Sequence, residues 1–375
     1  MRRWLSNVLH LGLKEFASLA RDRVLLAFIA YSFSVMIYSE ATGVKIEVSN
    51  AAIAIVDGDR SQLSTRIQDA LLKPRFKPAM IVDRSEVDTL MDSGKVSFVL
   101  DIPPRLEADI LAGRSPRMQL IIDATAMTQA AVGAGYIEEI VLGETLAWLD
   151  ERGIAAQLPV RPVVRAFFNP NLESIRFQAV MALVEKITMI SILLVGAAVI
   201  REREHGTIEH LLVMPVGSAE IAAAKIWANG VVVLVAVTLS LLIVINRFLG
   251  VPIKGSLTLF LVGTATYLFA LAALGILLAT IANTMPQFAL LSMPVFLILT
   301  MLSGSTSPLE SMPIFLQTVL LASPSVHYVK ATHAVLYRGA GLEIIWPHLL
   351  VLSGLGALFL AVALSRFRAM LARHA

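Results

Sequence analysis

Long apolar runs separated by short polar segments dominate the pattern of this chain. A helix that spans a membrane needs about 20 mostly apolar residues, and six segments meet this requirement. They are residues 24–43, 177–199, 227–249, 257–281, 286–304 and 345–365. The first run is the weakest, because Ser32, Ser34 and Glu40 interrupt it. The pattern predicts a mostly α-helical integral membrane protein with six transmembrane helices.

The first apolar run has two interpretations, a cleaved signal peptide or a permanent anchor. Residues 1–23 precede the run, and no small-residue cleavage site follows it, so an uncleaved transmembrane helix at 24–44 is favoured. From Trp4 to Ala20, apolar residues recur between charges. This spacing is typical of an amphipathic helix on the inner membrane surface, and a simple cytoplasmic lead-in fits it equally well.

Residues 45–176 carry much of the charge and alternate between strand-like and helix-like stretches. The predicted strands are 51–56, 79–82, 96–102, 118–122 and 163–168. The predicted helices are 61–72, 85–92 and 125–152, with another starting at 103–104. Such alternation indicates an α/β layer structure, and about 130 residues can bury a core of their own. We expect a large extracytoplasmic α/β domain between the first and second transmembrane helices.

Basic residues cluster at both ends of the chain, where orientation is decided. They are Arg2, Arg3, Lys14, Arg21 and Arg23 in the lead-in, and Arg366, Arg368 and Arg373 in the tail 366–375. Because cytoplasmic flanks are enriched in Lys and Arg, both termini are expected in the cytoplasm. The domain 45–176 then lies outside, followed by a five-helix domain at 177–365. Arg247 and Lys254 fall in an outer loop, which is a minor disagreement.

Composition agrees with a membrane protein. Hydrophobic residues make up 57% of the chain and charged residues 16%, whereas soluble domains have roughly 25% charged residues; the mean hydropathy is +0.74. The absence of cysteine excludes disulfides, zinc–thiolate sites, iron–sulfur clusters and thiol catalysis. The net charge is only +3 and no basic stripe with interleaved aromatics occurs, so nucleic acid is not an expected partner.

Signatures of catalysis, cofactors and metals are missing or weak. Phosphate-loop, GxSxG and HExxH motifs do not occur, so no catalytic, cofactor-binding or metal residue is predicted. The turn at 57–59 lacks the distal ligands of a calcium loop, and Asp59 or Ser61 is expected to cap the following helix. His327 and His333 are six residues apart, on different faces of a helix, and polar contacts at the membrane edge are favoured over a metal site.

The most informative polar segment is REREHGTIEHLLVMP at 201–215, which directly follows the second apolar run. Thr207 can cap a new helix. Glu209 would face water on that helix, opposite an apolar face, and Pro215 would end it. The pattern favours an amphipathic docking helix, with a membrane-surface helix that has no partner as the alternative.

Two further motifs accompany this segment, AIVDGD at 54–59 and FNP at 168–170. The segment 201–215 matches the pattern R-E-x-E-x-G-T-x-E-x-L-x-x-x-P position by position. With the layout of one span, a large domain and five more spans, the chain resembles the permease subunits of ABC exporters of the type-2 permease family. The resemblance covers essentially the whole chain.

The resemblance implies that residues 201–224 form a cytoplasmic coupling helix, which docks in a groove of a separate ABC ATPase. The coupling residues would be Arg201, Glu202, Arg203, Glu204, Gly206, Thr207, Glu209, Leu212 and Pro215. The glutamates would pair with basic residues of the ATPase or with the two arginines. ATP and Mg would be bound by the ATPase, and this chain would have no cofactor and would not itself be an enzyme.

The resemblance also implies a multidrug-exporter-like permease of the bacterial inner membrane. It would work with a second copy or a paralogue, surrounding membrane lipid and a periplasmic adaptor, and move an amphiphilic or drug-like substrate out of the cytoplasm or inner leaflet. A membrane-anchored sensor with an extracytoplasmic ligand-binding domain is the alternative, although five further spans exceed what a sensor needs. A lipid-modifying enzyme would need titratable residues clustered at one membrane depth, and the sequence shows no such cluster.

Two features stand out from the apolar background of the second half. Glu185 and Lys186 lie in the second run, where a central charge costs about 2.5–3.5 kcal/mol. Either they line a transport path or dimer interface, or the span starts later and Lys186 snorkels to the outer headgroups.

In the outer segment 305–343, the apolar run 314–322 is too short to span and predicts a re-entrant or interfacial helix pair.

Overall fold

The computed structural model describes residues 2–43, 50–72, 75–123, 127–154, 173–204, 216–304, 309 and 312–371. The chain divides into two compact units. One unit is Val44–Ser174, and the other combines Met1–Gly43 with Ile175–Ala375. The first corresponds closely to the inserted α/β domain, and the second to the spanning helices with the N-terminal segment.

Helices and strands follow one another along the chain in a simple order. They are α1 (Arg2–Arg21), α2 (Arg23–Gly43), β1 (Ile53–Asp57), α3 (Gln62–Ala70), β2 (Met80–Ile81), α4 (Val87–Asp92), β3 (Phe98–Ile102), α5 (Leu106–Leu111), β4 (Gln119–Ile122), α6 (Met127–Glu151), α7 (Ser174–Glu204), α8 (Ser218–Phe248), α9 (Leu257–Ile281), α10 (Met285–Met301), α11 (Ile314–Leu320), α12 (Pro324–Leu336) and α13 (Leu342–Leu371). Two of these helices contain a π-helical stretch, Ser32–Met36 in α2 and Ser240–Phe248 in α8.

The α/β unit is built on a four-stranded sheet in the order β2-β1-β3-β4. β1 is parallel to β2 and β3, and β4 is antiparallel to β3. Successive residues of a strand point to opposite faces, and both faces of β1 are buried: Ile53 and Ile55 join one core, and Ala54 joins another. The alternation of strands and helices predicted from the sequence is confirmed. The predicted strand at 163–168 lies outside the described residues.

The acidic turn at 57–61, which follows β1, makes hydrogen bonds to the first residues of α3 and α5. Ser61 Oγ accepts a hydrogen bond from Ser64 N at 3.1 Å and caps α3, as predicted. Asp57 Oδ2 accepts from Ser64 Oγ at 2.8 Å. Asp59 Oδ2 accepts instead from Glu107 N on α5 at 3.0 Å. Asp59 therefore satisfies an N–H group at the N-terminus of α5, which lacks a backbone partner, whereas Asp57 holds the turn itself and the Ser64 hydroxyl of α3.

The sequence predicts six transmembrane helices, and five described helices are long and apolar enough to cross a membrane: α2, α7, α8, α9 and α13. The remaining predicted helix, 286–304, corresponds to α10, which has 17 residues and a length of about 25 Å, less than the roughly 30 Å of a hydrocarbon core. The apolar run 286–304 is longer than the helix because helical structure stops at Met301, ahead of Gly304 with its positive φ of 86°. Composition alone could not show this early end.

Small and hydroxyl-bearing residues bring α7, α9 and α12 together. A Cβ on Gly275 of α9 would lie 2.8 Å from the carbonyl oxygen of Ile192 on α7, so only glycine permits this crossing. Tyr267 of α9 and Tyr328 of α12 stack with ring centroids 4.1 Å apart. Their hydroxyls bond to Thr188 of α7 and Thr264 of α9, at 2.7 and 2.9 Å. The contact between these three helices is thus close-packed, and the hydroxyls of both stacked tyrosines are paired.

The N-terminal segment is helical over Arg2–Arg21 and packs along α8. Trp227 Nε1 donates a hydrogen bond to the carbonyl oxygen of Val8 at 3.1 Å. A Cβ on Gly12 would lie 2.2 Å from the Trp227 ring. Leu5, Leu9 and other apolar side chains of α1 remain exposed. The helix and its apolar stripe agree with the amphipathic interpretation of this segment.

The predicted short helix pair is present in the segment 305–343. α11 has seven residues, with Ile314 and Phe315 exposed. α12 has 13 residues and is mostly buried, against α9 and α13. Neither is long enough to span a membrane, in agreement with the sequence.

Candidate functional site

The predicted coupling segment is only partly within the described chain. Residues 201–204 form the last turn of α7, which runs without a break from Ser174, so they extend the second spanning helix and do not begin a new one. α8 begins at Ser218 and takes up the C-terminal part of the predicted coupling helix 201–224. Outside the described residues lie Gly206, Thr207, Glu209, Leu212 and Pro215.

The charged last turn of α7 is anchored to the connection between α9 and α10. Arg203 Nη1 donates to the carbonyl oxygen of Ala282, the residue that ends α9. Glu204 Oε1 accepts from the backbone N–H of Met285, the first residue of α10, at 2.8 Å. The predicted pairing of the glutamates with Arg201 and Arg203 is replaced for Glu204 by a helix N-terminus, which favours a negative charge.

Lys225 of α8 lies between two carboxylates that come from other helices. Its Nζ is 2.9 Å from Glu15 Oε1 on α1 and 2.8 Å from Glu202 Oε1 on α7. The lysine side chain is 3% exposed, and the side chains of Glu15 and Glu202 are 18% and 20% exposed. An ammonium group so enclosed requires charged partners. We call Glu15, Lys225 and Glu202 the Lys225 triad.

A second polar contact joins α1 to the start of α8. Glu220 Oε2 accepts from the backbone N–H of Gly217 at 2.6 Å and so caps α8. Its other oxygen, Oε1, accepts from Asn7 Nδ2 on α1 at 3.1 Å. The same carboxylate therefore sets where α8 begins and holds α1 against it.

A cavity of about 300 Å³ lies between α1 and α7, and two members of the Lys225 triad, Glu15 and Glu202, line it. Arg201 Nη1 is 3.5 Å from Asp22 Oδ2 at its edge. Charges of both signs line the cavity, from Lys14, Glu15, Asp22, Arg201 and Glu202. In the part of the chain that the structure describes, no group of three or more His, Asp or Glu could hold a metal ion.

A second buried lysine lies in the membrane-spanning part of α7. Lys186 Nζ donates to Glu40 on α2 and is 3.3 Å from Glu185 Oε1. Its side chain is 2% exposed, whereas Glu40 and Glu185 are 37% and 42% exposed. The ammonium group of Lys186 is therefore enclosed by protein, and the position of this residue relative to the outer headgroups stays a prediction. We call Glu40, Lys186 and Glu185 the Lys186 triad.

The histidines singled out in the sequence take up separate packing and polar roles. His327 Nδ1 lies 3.1 Å from His348 Nδ1, and its Nε2 donates to the carbonyl oxygen of Leu321 at 2.8 Å. The His333 ring packs between Phe177 and Tyr337, with centroids at 5.6 and 5.4 Å. His327 thus makes polar contacts of the kind that the sequence favours, whereas His333 is held by ring packing, which the sequence did not predict.

Sequence reasoning missed Lys225, Glu15, Glu220 and Asn7. One signal was available: Lys225 follows Ala222-Ala223-Ala224 and precedes an apolar run, and a lysine among apolar residues is a candidate for a buried ion pair. The identity of its partners was out of reach, because Glu15 lies 210 positions away in the chain.

Comparison with known proteins agrees with this architecture. Residues 24–365 match the family described as ABC-2 family transporter protein. The chain is 46% identical over 366 residues to the inner membrane transport permease YhhJ of Escherichia coli K12, covering 98% of each chain. It is 28% identical over 359 residues to the probable multidrug ABC transporter permease YbhR of the same organism, covering 95% of this chain and 96% of that one.

Members of this family are transmembrane subunits that lack a nucleotide-binding domain of their own and work with ATPase subunits. The apolar helices and the inner-membrane relative make this a multi-pass protein of the inner membrane. Spanning helices, a charged segment between two of them and a family match over nearly the whole length lead to one conclusion: the chain belongs to the ABC-2 family of transporter proteins.

Proposed function

We propose that this protein is the permease subunit of an ATP-driven exporter in the bacterial inner membrane. One observation carries the proposal: the charged segment 201–215 joins two spanning helices, and an ion network built around Glu202 and Lys225 holds the helix ends on either side of it. Because these helix ends are joined to each other, a movement of the segment caused by a cytoplasmic ATPase would be transmitted to the spanning helices. This motion is a two-state change biased by nucleotide.

The proposed topology has six spans, with α10 as the fifth. Both termini lie in the cytoplasm, and the unit Val44–Ser174 lies outside. The basic residues of both chain ends support this orientation. The length of α10, about 25 Å, would be accommodated by local thinning of the bilayer.

Within this topology, residues 201–224 carry the coupling function. Arg201 to Glu204 would orient the segment, and the docking contact with the ATPase would come from Gly206, Thr207, Glu209, Leu212 and Pro215. Two permeases, either two copies or this chain and a paralogue, would work with two ATPase subunits that bind ATP and Mg. A periplasmic adaptor would engage the outer unit.

The substrate proposed is an amphiphilic or drug-like molecule, taken from the cytoplasm or the inner leaflet. The relative YbhR is named as a probable multidrug ABC transporter permease, which supports this class of substrate. The Lys186 triad supports a polar lining, because Glu40 and Glu185 expose carboxylates on the surface of spanning helices, and such groups rarely face lipid. We assign this face to the transport path between permeases.

Purification of the tagged protein from its own host's membranes in mild detergent tests the proposal. We expect an ATPase with vanadate-sensitive activity to co-purify, and Glu209→Arg to abolish that activity while the permease remains folded. Glu139→Arg is the matched control, because Glu139 is an exposed glutamate of α6 in the α/β unit. A permease that purifies alone and without activity contradicts the exporter proposal and favours a membrane-anchored sensor.

A further inference from the structure

We propose that the Lys225 triad makes α1 a moving part of the coupling machinery, by fastening it to both helix ends that flank the segment 205–215. The inference rests on the proposed function and assigns it three residues: Glu15, Glu202 and Lys225. These are positioning residues, which act by holding helices in register.

The members of the triad bracket the coupling segment in the chain. Glu202 lies two residues before the end of α7, and Lys225 lies in the second turn of α8. Glu15 comes from α1, far away in sequence. The single ammonium group of Lys225 therefore joins both ends of the coupling segment to a third helix.

The contact between α1 and α8 extends well beyond the triad. Asn7 bonds to Glu220 at 3.1 Å, and Trp227 packs on Gly12 and bonds to the Val8 carbonyl at 3.1 Å. α1 is therefore attached to α8 from its second turn to its fourth. A displacement of the start of α8 would carry α1 with it.

The charges of the triad fix the relative position of the three helices, which apolar packing alone would not do as specifically. Replacement of a buried ion pair by apolar residues of similar size often leaves stability unchanged or increases it, so adhesion alone does not require these charges. The charge-assisted hydrogen bonds of such a site have a preferred geometry, and loss of Lys225 removes the ammonium group that both carboxylates share. The three helices are thus stable in one relative position and resist sliding separately when the ATPase moves the coupling segment.

The test is the neutral triple variant Glu15→Gln/Lys225→Met/Glu202→Gln, which keeps side-chain size and leaves no charge unpaired. The readout is vanadate-sensitive ATP hydrolysis by the co-purified complex in lipid nanodiscs. We expect the ATPase to co-purify in wild-type amount, and hydrolysis to fall about tenfold, the size of a typical coupling between sites. If the triad served only to stabilise the fold, its loss would reduce co-purification of the ATPase together with hydrolysis. A fall in hydrolysis with normal co-purification therefore indicates a role in coupling.

A cross-link provides the rescue. The chain has no cysteine, so Asn7→Cys/Glu220→Cys places one pair at a contact that already joins α1 to α8. A short thiol cross-linker across this pair, added to the triple variant, should bring hydrolysis back to within about twofold of wild type, and its reductive cleavage should remove the gain. The same pair in the wild-type triad background controls for the loss of the Glu220 cap.

Two results overturn the inference: wild-type hydrolysis by the triple variant, or a loss of hydrolysis that the cross-link does not repair. Failure of the proposed function has a different signature, because then no ATPase accompanies even the wild-type permease.

Discussion

The two buried lysines of this protein share one motif but differ in how they are used. Lys225 and Lys186 are each almost fully enclosed, and each has two glutamates as partners. The Lys225 triad joins three helices, and its glutamates are mostly buried. The Lys186 triad joins only α2 and α7, and its glutamates are about two-fifths exposed.

The two triads differ in the partners that their carboxylate oxygens can reach besides the lysine. Around Lys225 they have few alternatives to the ammonium group, so the interaction fixes helix positions. Around Lys186 the open side of the triad presents carboxylates outward, so the same charges are available to water, a substrate or a second permease. Both lysines are buried, so the exposure of the glutamates distinguishes the two triads. The Lys225 triad holds helices together, and the Lys186 triad presents a polar face.

The Lys186 triad and the ion pair of Arg201 with Asp22 lie at different levels along α7. Lys186 and Arg201 are 15 positions apart on α7, about 22 Å along the helix. Their partners Glu40 and Asp22 belong to α2 and its cap, so α7 contacts α2 near both ends of α2. A rigid α2–α7 pair would move as one body when the end of α7 is displaced.

The largest expected effect is that of Lys225→Met. Two buried carboxylates would be left facing each other, and removing one partner from a buried ionic group costs about 3–5 kcal/mol. The free energy of unfolding, measured by SDS titration in detergent micelles, should fall by that amount. Lys225→Arg is the control and should retain most of the stability. A change as small as that of an exposed lysine would contradict the fastening role of the triad.

Lys186→Met should have a smaller effect, although Lys186 is equally buried. Glu40 and Glu185 can turn toward their open side and be solvated, so we expect a loss of about 1 kcal/mol. The same titration measures it, and Lys186→Met/Glu40→Gln should recover part of the loss. A Lys186→Met effect equal to that of Lys225→Met would erase the distinction between the two triads.

The smallest effect is expected at Asp22, which caps α2 through Leu25 N at 3.0 Å and pairs loosely with Arg201. Asp22→Asn keeps an oxygen for the cap and removes an exposed ion pair, so the unfolding free energy should change by less than about 0.5 kcal/mol. Asp22→Ala also removes the cap and should cost about 1 kcal/mol. Equal effects of the two variants would show that the charge, and not the cap, is what matters.

The α/β unit was largely predictable because its cues are local. Residues of β1 and β3 alternate between two buried faces, and Ser61 signals the start of α3 one residue ahead of it. The spanning helices were predictable for a similar reason, since a long apolar run has few alternatives in a membrane. The exception is α10, whose ends depend on its Thr284 cap and on the break before Gly304.

The sequence by itself determined the membrane class, the alternation of the α/β unit, the charged segment between two spans and the family resemblance. Each of these follows from residues that are neighbours in the chain or recur with the period of a helix or strand. Only the tertiary structure decided that Lys225 lies between Glu15 and Glu202, and that Lys186 is enclosed beside Glu40. The physical reason is that a buried charge takes its partner from whichever helix packs beside it, and side-chain periodicity does not specify which helix that is.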